Sequence, residues 1–448
     1  MYDRKVHSLP TLQMRSLDEE ERVSGIVHIG VGNFHRSHQE SYLNDLLKLD
    51  FEKYKNWCYT GIGMIPSDKT IQTKLKRNKF RYHIVSVKHD GKTSVEHVNT
   101  LMNMLLSYEQ LDTCLSLMEQ ESVKIVSITI TEYGYTLDLS DCDKQLIEMS
   151  LGKIQNKDIA SLHGITAFGL VLGALARRYK KYIDPFTVLS CDNVNGNGDV
   201  CKKKCLESLR NIDVDFIEWI DKYGRFPNTM VDRITPVLND DDVIQLEKEL
   251  GIIDTKPVIC EEYKSWIIED TFVNGERPAW ENVGVIFTED VKPYEELKLG
   301  LLNVPHSYIA YWGIYKGYTY VHEVVKNAEI RDEIYMFMQD IISIIGVRED
   351  IDYMGYAQTV LQRFTNVTLK DTLKRIATDG ISKFKTQGLP LLKRGLDCGY
   401  PMISFAKYIS LWKKCDKLQD SILNILGDVQ RNETFMLRIK QYDETFLQ

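Results

Sequence analysis

The feature that most constrains this chain is an apolar run that ends on a pair of glycines. Gly25-Ile26-Val27-His28-Ile29-Gly30-Val31-Gly32 reads as a short buried strand entering a tight turn. A helical pattern follows from about His35 to Leu49, with Tyr42, Leu43, Leu46 and Leu47 on one face. Further strand-like runs occupy 57–64, 81–87, 124–130 and 187–191, and helical stretches separate most of them. That alternation argues for βαβ units and a parallel sheet covered on both faces. Past about residue 290 strand-like runs become scarce, and helical patterns dominate 293–320, 328–345, 370–378 and 402–426. The proline-bearing segment 276–295 is a natural junction. The expected architecture is an α/β Rossmann-like N-terminal domain over 1–285 and a mostly α-helical C-terminal domain over 286–448.

Composition agrees and narrows the function classes. A chain of 448 residues exceeds what one compact core usually supports, so two domains are the default. A formal net charge of -8 leaves no broad basic field for nucleic acid. No apolar run reaches signal-peptide or membrane-spanning length, which predicts a cytoplasmic protein without a membrane partner. Nine cysteines without a framework suggest free thiols in a reducing compartment. Cys201 and Cys205 have a spacing that suits a metal on a helix, but no third Cys or His is near, so no metal is expected.

Two segments carry chemistry. In Gly30-Val31-Gly32-Asn33-Phe34-His35 the first glycine permits a tight turn and the second lets backbone approach a pyrophosphate, while the following helix N-terminus favours anionic charge. Gly30, Gly32, Asn33 and Phe34 are the candidate cofactor contacts, with Arg36 as an added cationic donor. Histidine replaces the usual third glycine, which predicts looser packing of helix on strand. Asp68, past the second strand, suits either a ribose hydroxyl or a helix cap, so NAD and NADP both stay open.

The second segment is Tyr294-Glu295-Glu296-Leu297-Lys298-Leu299-Gly300-Leu301-Leu302-Asn303-Val304-Pro305-His306. On an ideal helix Lys298, Asn303 and His306 fall within about 140° of one another, enough to line one wall of a cleft. Pro305 removes a helical hydrogen bond and predicts a kink. Read locally, the segment is equally an interior kink with satisfied polar groups. Tyr294 and Lys298 also match the Tyr-x-x-x-Lys pair of short-chain dehydrogenases, a pattern common by chance. A zinc alcohol dehydrogenase would need a clustered ligand set that the sequence lacks.

Seven segments in order resemble the long-chain polyol dehydrogenase family, of which mannitol 2-dehydrogenase and fructuronate reductase are members. They are IVHIGVGNFHRSHQ (26–39), TITEYGY (129–135), SCDNVNGNG (190–198), FPNTMVDRITP (226–236), VICEEYKSWIIEDTF (258–272), the stretch 277–307 and RFTNVTLKDTLKRIATDGISK (363–383). The resemblance implies a metal-independent, NAD- or NADP-dependent oxidoreductase interconverting a mannitol-like sugar alcohol and its ketose. It implies Lys298 as general acid/base, Asn193 and Asn303 as oxyanion-stabilising amides, and Asp232 as a carboxylate that aids positioning. It also implies substrate contacts from His306, Arg375 and Lys383, and roles in proton movement or access for Glu132 and Glu295. Val304-Pro305 departs from the small residues usual there, which bears on how His306 reaches a substrate. Reduction of a keto-uronate is the alternative within the family, and a nucleotide sensor without activity the alternative outside it. A monomer or small homo-oligomer is expected.

Overall fold

The computed structural model describes residues 21–446 apart from 156, 252–253, 255, 368–369 and 417–420. The amino-terminal stretch read above for targeting signals (1–20) lies outside the described residues, as do 368–369 of the last family segment and 417–420 of the expected helix 402–426.

Eleven strands build the α/β part: β1 Ser24–Ile29, β2 Cys58–Gly63, β3 Tyr82–Val87, β4 Thr93–Val98, β5 Leu101–Leu106, β6 Ile125–Ile128, β7 Thr187–Ser190, β8 Thr229–Asp232, β9 Val258–Glu261, β10 Ser265–Glu269 and β11 Ile286–Thr288. β5-β2-β1-β6-β7 form one parallel sheet. β1 is fully buried along its length, as its near-continuous apolar run requires for a central parallel strand. Strand order reverses at β1, whose neighbours are β2 and β6, so the crevice beyond the carboxyl ends of β1 and β6 is the topological switch point.

Two three-stranded sheets complete this part: β11-β10-β8, with β8 antiparallel to β10, and β4-β3-β9. Periodicity had not marked β4, β5, β8, β9, β10 or β11 as strands. β4 is largely exposed and polar, and Leu101–Leu106 (LMNMLL) has helix-favouring residues that pairing with β2 overrides. β11 lies past residue 285 and pairs with β10, so the α/β part runs through Thr288.

From Lys292 onward the described residues are mostly helical, around a core whose members run from Leu297 to Phe446. Its central helix, Val304–Lys316, is apolar on most sides and packs against Ala328–Ile345 and Ile403–Asp416. The expected kink takes the form of a π turn at Leu299–Asn303 between helices Lys292–Lys298 and Val304–Lys316. Pro305 cannot donate to the turn before it, and the widened turn absorbs that missing bond. The expected helix 370–378 is shorter, Leu373–Ala377. The helix after the glycine turn is also interrupted: Asn33–Ser37 ends at His38, whose ring nitrogen Nε2 bonds the Ser265 carbonyl at 2.8 Å, and Gln39–Leu49 begins anew. No helix among the described residues is long and apolar enough to cross a membrane.

Candidate active site

The glycine turn sits at the switch point. Gly30 has φ +99°, and a Cβ there would stand 2.1 Å from the Thr129 carbonyl oxygen at the end of β6. Glycine at 30 is therefore demanded by the fold. Gly32 differs: its φ is −102°, and a Cβ would meet nothing nearer than Gly30 O at 3.9 Å. Neither strain nor packing demands glycine at 32, and the space beside its backbone is open.

The third position corrects the expectation of loose packing. His35 is wholly buried, its ring stacked on His28 of β1 with centroids 3.4 Å apart and planes 4° off parallel. A flat ring fills the layer between helix and strand that glycine would leave thin. Arg36 is also corrected. Expected to face a phosphate, it is fully buried and donates to Asn33 Oδ1 and the Lys256 carbonyl, each at 2.7 Å. It ties the turn to the chain before β9 and occupies the Asn33 side-chain oxygen, leaving the Asn33 amide hydrogens to donate elsewhere. Phe34 stacks on His38 at 4.9 Å. Asp68 begins helix Asp68–Arg77 and its Oδ2 accepts from the backbone of Met64 (2.7 Å) and Ile65 (3.0 Å). Those donors precede the helix, so Asp68 closes the bend after β2 and caps no helix; the N-cap position is Ser67.

Lys298 closes helix Lys292–Lys298 and reaches across to the α/β part. Its Nζ donates to Asn193 Oδ1 at 2.6 Å and to the Val231 carbonyl at 2.7 Å. Both acceptors are uncharged. Burial pushes the amine below the ordinary lysine range, and neighbouring Asp232 opposes this only in part. Asp232, next along β8, is held instead by Arg363, whose Nη1 and Nη2 lie 2.7 and 2.9 Å from its oxygens. Burial works to raise the Asp232 carboxyl, but the Arg363 charge holds it below the usual carboxylate range.

Glu295, a turn before Lys298, accepts the Gly196 N–H at 2.8 Å and is pushed upward by burial. Asn193 and Gly196 thus both meet the lysine helix, which fixes the loop after β7. Asn303 ends the π turn, half-buried.

A second group lies beside the first. His306 Nε2 is 3.6 Å from Asp371, its ring stacks on Phe364 at 4.8 Å, and burial lowers it to about 4, so it is neutral at pH 7. Asp371 also pairs with Arg375 at Nε, 2.8 Å away. Lys383 donates to the Ile376 carbonyl at 2.8 Å; burial and then the Arg375 charge lower it, while Asp371 and Glu132 pull it upward. His306, Arg375, Lys383 and Glu132 therefore share one electrostatic neighbourhood. Glu132 itself is exposed on the short helix Thr131–Thr136.

Sequence reasoning passed over Arg363, Asp371 and Asp192. The Asp192 carboxylate accepts the backbone N–H of Ile130 (3.0 Å) and Thr131 (2.8 Å), which holds the turn that presents Glu132. Arg363 left a readable signal. Tyr353, Ala357, Val360, Arg363 and Phe364 make the buried stripe of helix Tyr353–Phe364, and an arginine on such a stripe needs a carboxylate.

The Tyr-x-x-x-Lys reading gains nothing from the geometry, because Tyr294 lies in the field of Asp350 and Arg348 while Lys298 faces Asn193. Cys201 and Cys205 are buried, and among the described residues no cluster of His, Cys, Asp or Glu could hold a metal ion.

The family models decide the lineage. The mannitol dehydrogenase Rossmann domain matches residues 24–282, and the mannitol dehydrogenase C-terminal domain matches 290–426. The chain belongs to the mannitol dehydrogenase family. That makes it an oxidoreductase of the polyol dehydrogenase kind. Mannitol 2-dehydrogenase of Pyrenophora tritici-repentis is 34% identical over 92% of this chain and 71% of its own length. A polyol:NADP oxidoreductase of Gluconobacter oxydans is 32% identical over 87% of this chain and 80% of its own. The solved Pseudomonas fluorescens mannitol 2-dehydrogenase, a ternary complex with NAD and D-mannitol, has a TM-score of 0.78 and 31% identity, covering 95% of this chain and 92% of that one. A substrate-free D-sorbitol dehydrogenase superposes with a TM-score of 0.80 at 29% identity, over 89% and 81% of the two chains. The α/β part of this chain thus corresponds to the family's Rossmann domain, and Lys298 lies in the part matched by its C-terminal domain.

Proposed function

We propose that this chain is an NAD(P)-dependent polyol dehydrogenase that interconverts a linear, mannitol-like sugar alcohol and its ketose, with Lys298 as general base. The observation that carries the reading is Lys298 itself: a buried amine held by two neutral acceptors, beside a carboxylate already paired with arginine. Such a lysine loses its proton far more readily than a surface one.

The glycine turn fits a dinucleotide, since Gly32 leaves open space where any side chain would intrude. When bound, a nicotinamide dinucleotide supplies the hydride acceptor for oxidation and the donor for reduction. The chain's own residues do the rest. Lys298 Nζ takes the hydroxyl proton as the C–H bond breaks, and returns it in the reverse direction. Asn193 gives its Oδ1 to Lys298, which leaves its Nδ2 hydrogens for the substrate oxygen. Asn303 offers a second amide, and two fixed donors at a developing oxyanion contribute roughly 3 kcal/mol or more. His306, neutral at pH 7, can exchange hydrogen bonds with a substrate hydroxyl without adding charge.

The keto-uronate alternative has less support. Arg375 is already neutralised by Asp371 through an ion pair, which suits a terminal hydroxyl better than a carboxylate. Steady-state assays with mannitol, arabinitol, sorbitol and keto-uronates, each with both nicotinamide cofactors, test this directly. Turnover is expected on at least one polyol, and activity confined to the keto-uronates overturns the polyol reading. The scheme needs no metal, so dialysis against a chelator is expected to leave turnover unchanged. A large loss restored by zinc would revive metal catalysis.

A further inference from the structure

Helix Tyr353–Phe364 of the helical part places Arg363 against two carboxylates of the α/β part. Arg363 donates from Nη1 and Nη2 to Asp232 of β8, and from Nε (2.9 Å) and Nη2 (2.7 Å) to Glu261 of β9. The three side chains are 5%, 5% and 3% exposed. Tyr263 lies 4.2 Å from the guanidinium by its ring centre, and the Tyr356 hydroxyl approaches Asp232 at 3.4 Å. Every guanidinium nitrogen is engaged, so the fork allows one orientation only.

Two acids share this one arginine, and Lys298 is a further cation whose charge Asp232 feels. The Asp232 charge favours the ammonium form of Lys298, and the Arg363 charge opposes it. We infer that Arg363 is a positioning residue that keeps Asp232 off Lys298, locking the carboxylate across the domain boundary so that the lysine can act as a base. The inference rests on the proposed role of Lys298.

The groups that face Lys298 are few. Asp232 and Arg363 act from the facing elements, and Glu295 acts from its own helix. Asp232 in turn feels Arg363, Lys298 and His38, and stands close enough to Tyr42 and Tyr263 to raise their hydroxyls. His38 is driven by burial to about 3 and stays neutral through the working range, so it leaves the balance to Arg363. Loss of Arg363 removes a charge that disfavours the ammonium and frees one that favours it. Both effects push Lys298 in the same direction, toward a higher pKa.

The test is the pH profile of kcat/KM for polyol oxidation in the full-length protein, for wild type, Arg363→Gln, Arg363→Lys and Glu261→Gln. The acid limb of Arg363→Gln is expected to move toward alkaline pH by about 1 to 2 units. Arg363→Lys keeps the charge but not the fork, so its limb is expected between the two. Glu261→Gln frees Arg363 to serve Asp232 alone, so its limb is expected at or below the wild-type position. An arginine that merely braces the fold would lower kcat/KM evenly at every pH and leave the limb in place; that result overturns the inference. If Arg363→Gln does not fold, Arg363→Lys still decides it, because an unmoved limb there, or an alkaline shift in Glu261→Gln, rejects it. Failure of the underlying reading shows elsewhere, as turnover retained in Lys298→Ala.

Discussion

Lys298→Ala is expected to lower turnover in polyol oxidation by about 10³- to 10⁴-fold while leaving dinucleotide affinity within about twofold of wild type. The size follows from what the amine supplies. Alanine removes the proton acceptor at the point where the hydroxyl must ionise, and no other described group stands in its place, since Asp232 is tied to Arg363 and His306 is tied to Asp371. The proposed dinucleotide surface is a different one, the glycine turn after β1, so its binding is expected to be separable from the chemistry. Lys298→Arg is expected to be equally slow, because a guanidinium does not lose its proton in the working range. Stopped-flow or steady-state rates, paired with a fluorescence titration of reduced dinucleotide, read both quantities. Wild-type turnover in either variant would sink the base assignment.

Gly30→Ala and Gly32→Val are expected to fail in opposite ways, and the contrast tests the nucleotide site more sharply than either alone. At Gly30 the backbone has φ +99° and an added Cβ would sit 2.1 Å from a carbonyl oxygen of Thr129. Either β1 or β6 must shift, which costs on the order of 3 kcal/mol and lowers the melting temperature by several degrees. At Gly32 the backbone is ordinary and the Cβ position is open. Valine there is expected to leave the melting temperature unchanged and weaken dinucleotide binding by about 100-fold, equivalent to about 2.7 kcal/mol. Thermal unfolding and dinucleotide titration of both variants give the two-by-two outcome. Unchanged affinity in Gly32→Val would place the dinucleotide elsewhere.

Much of this protein is legible from local pattern, and the parts that are not have identifiable causes. The central parallel strands were visible because a strand buried on both faces is mostly apolar, as Ile26 to Ile29 and Ile125 to Ile128 are apart from His28 and Ser127, which bond each other at 2.8 Å. β11 and β4 were invisible because edge strands are short and half exposed, so their side chains satisfy water on one side. Arg36 looked like a phosphate ligand because its place in the motif is right. Its burial against Asn33 and the Lys256 carbonyl depends on a segment more than two hundred positions away. No local pattern carries that information.

The sequence by itself determined the lineage and the candidate residues. A strand, two glycines and a helix mark a candidate nucleotide crevice through short-range geometry, and seven ordered segments mark a known lineage in which Lys298, Asn193, Asn303 and Asp232 are the candidate site. Only the tertiary structure decided the state of that chemistry. Whether Lys298 is an ordinary ammonium or a ready base depends on burial and on the charges around it, and those come from β8, from the loop after β7 and from helix Tyr353–Phe364. Electrostatic energy varies with distance through a low-dielectric interior, and distances between residues 193, 232, 298 and 363 exist only once the chain has folded.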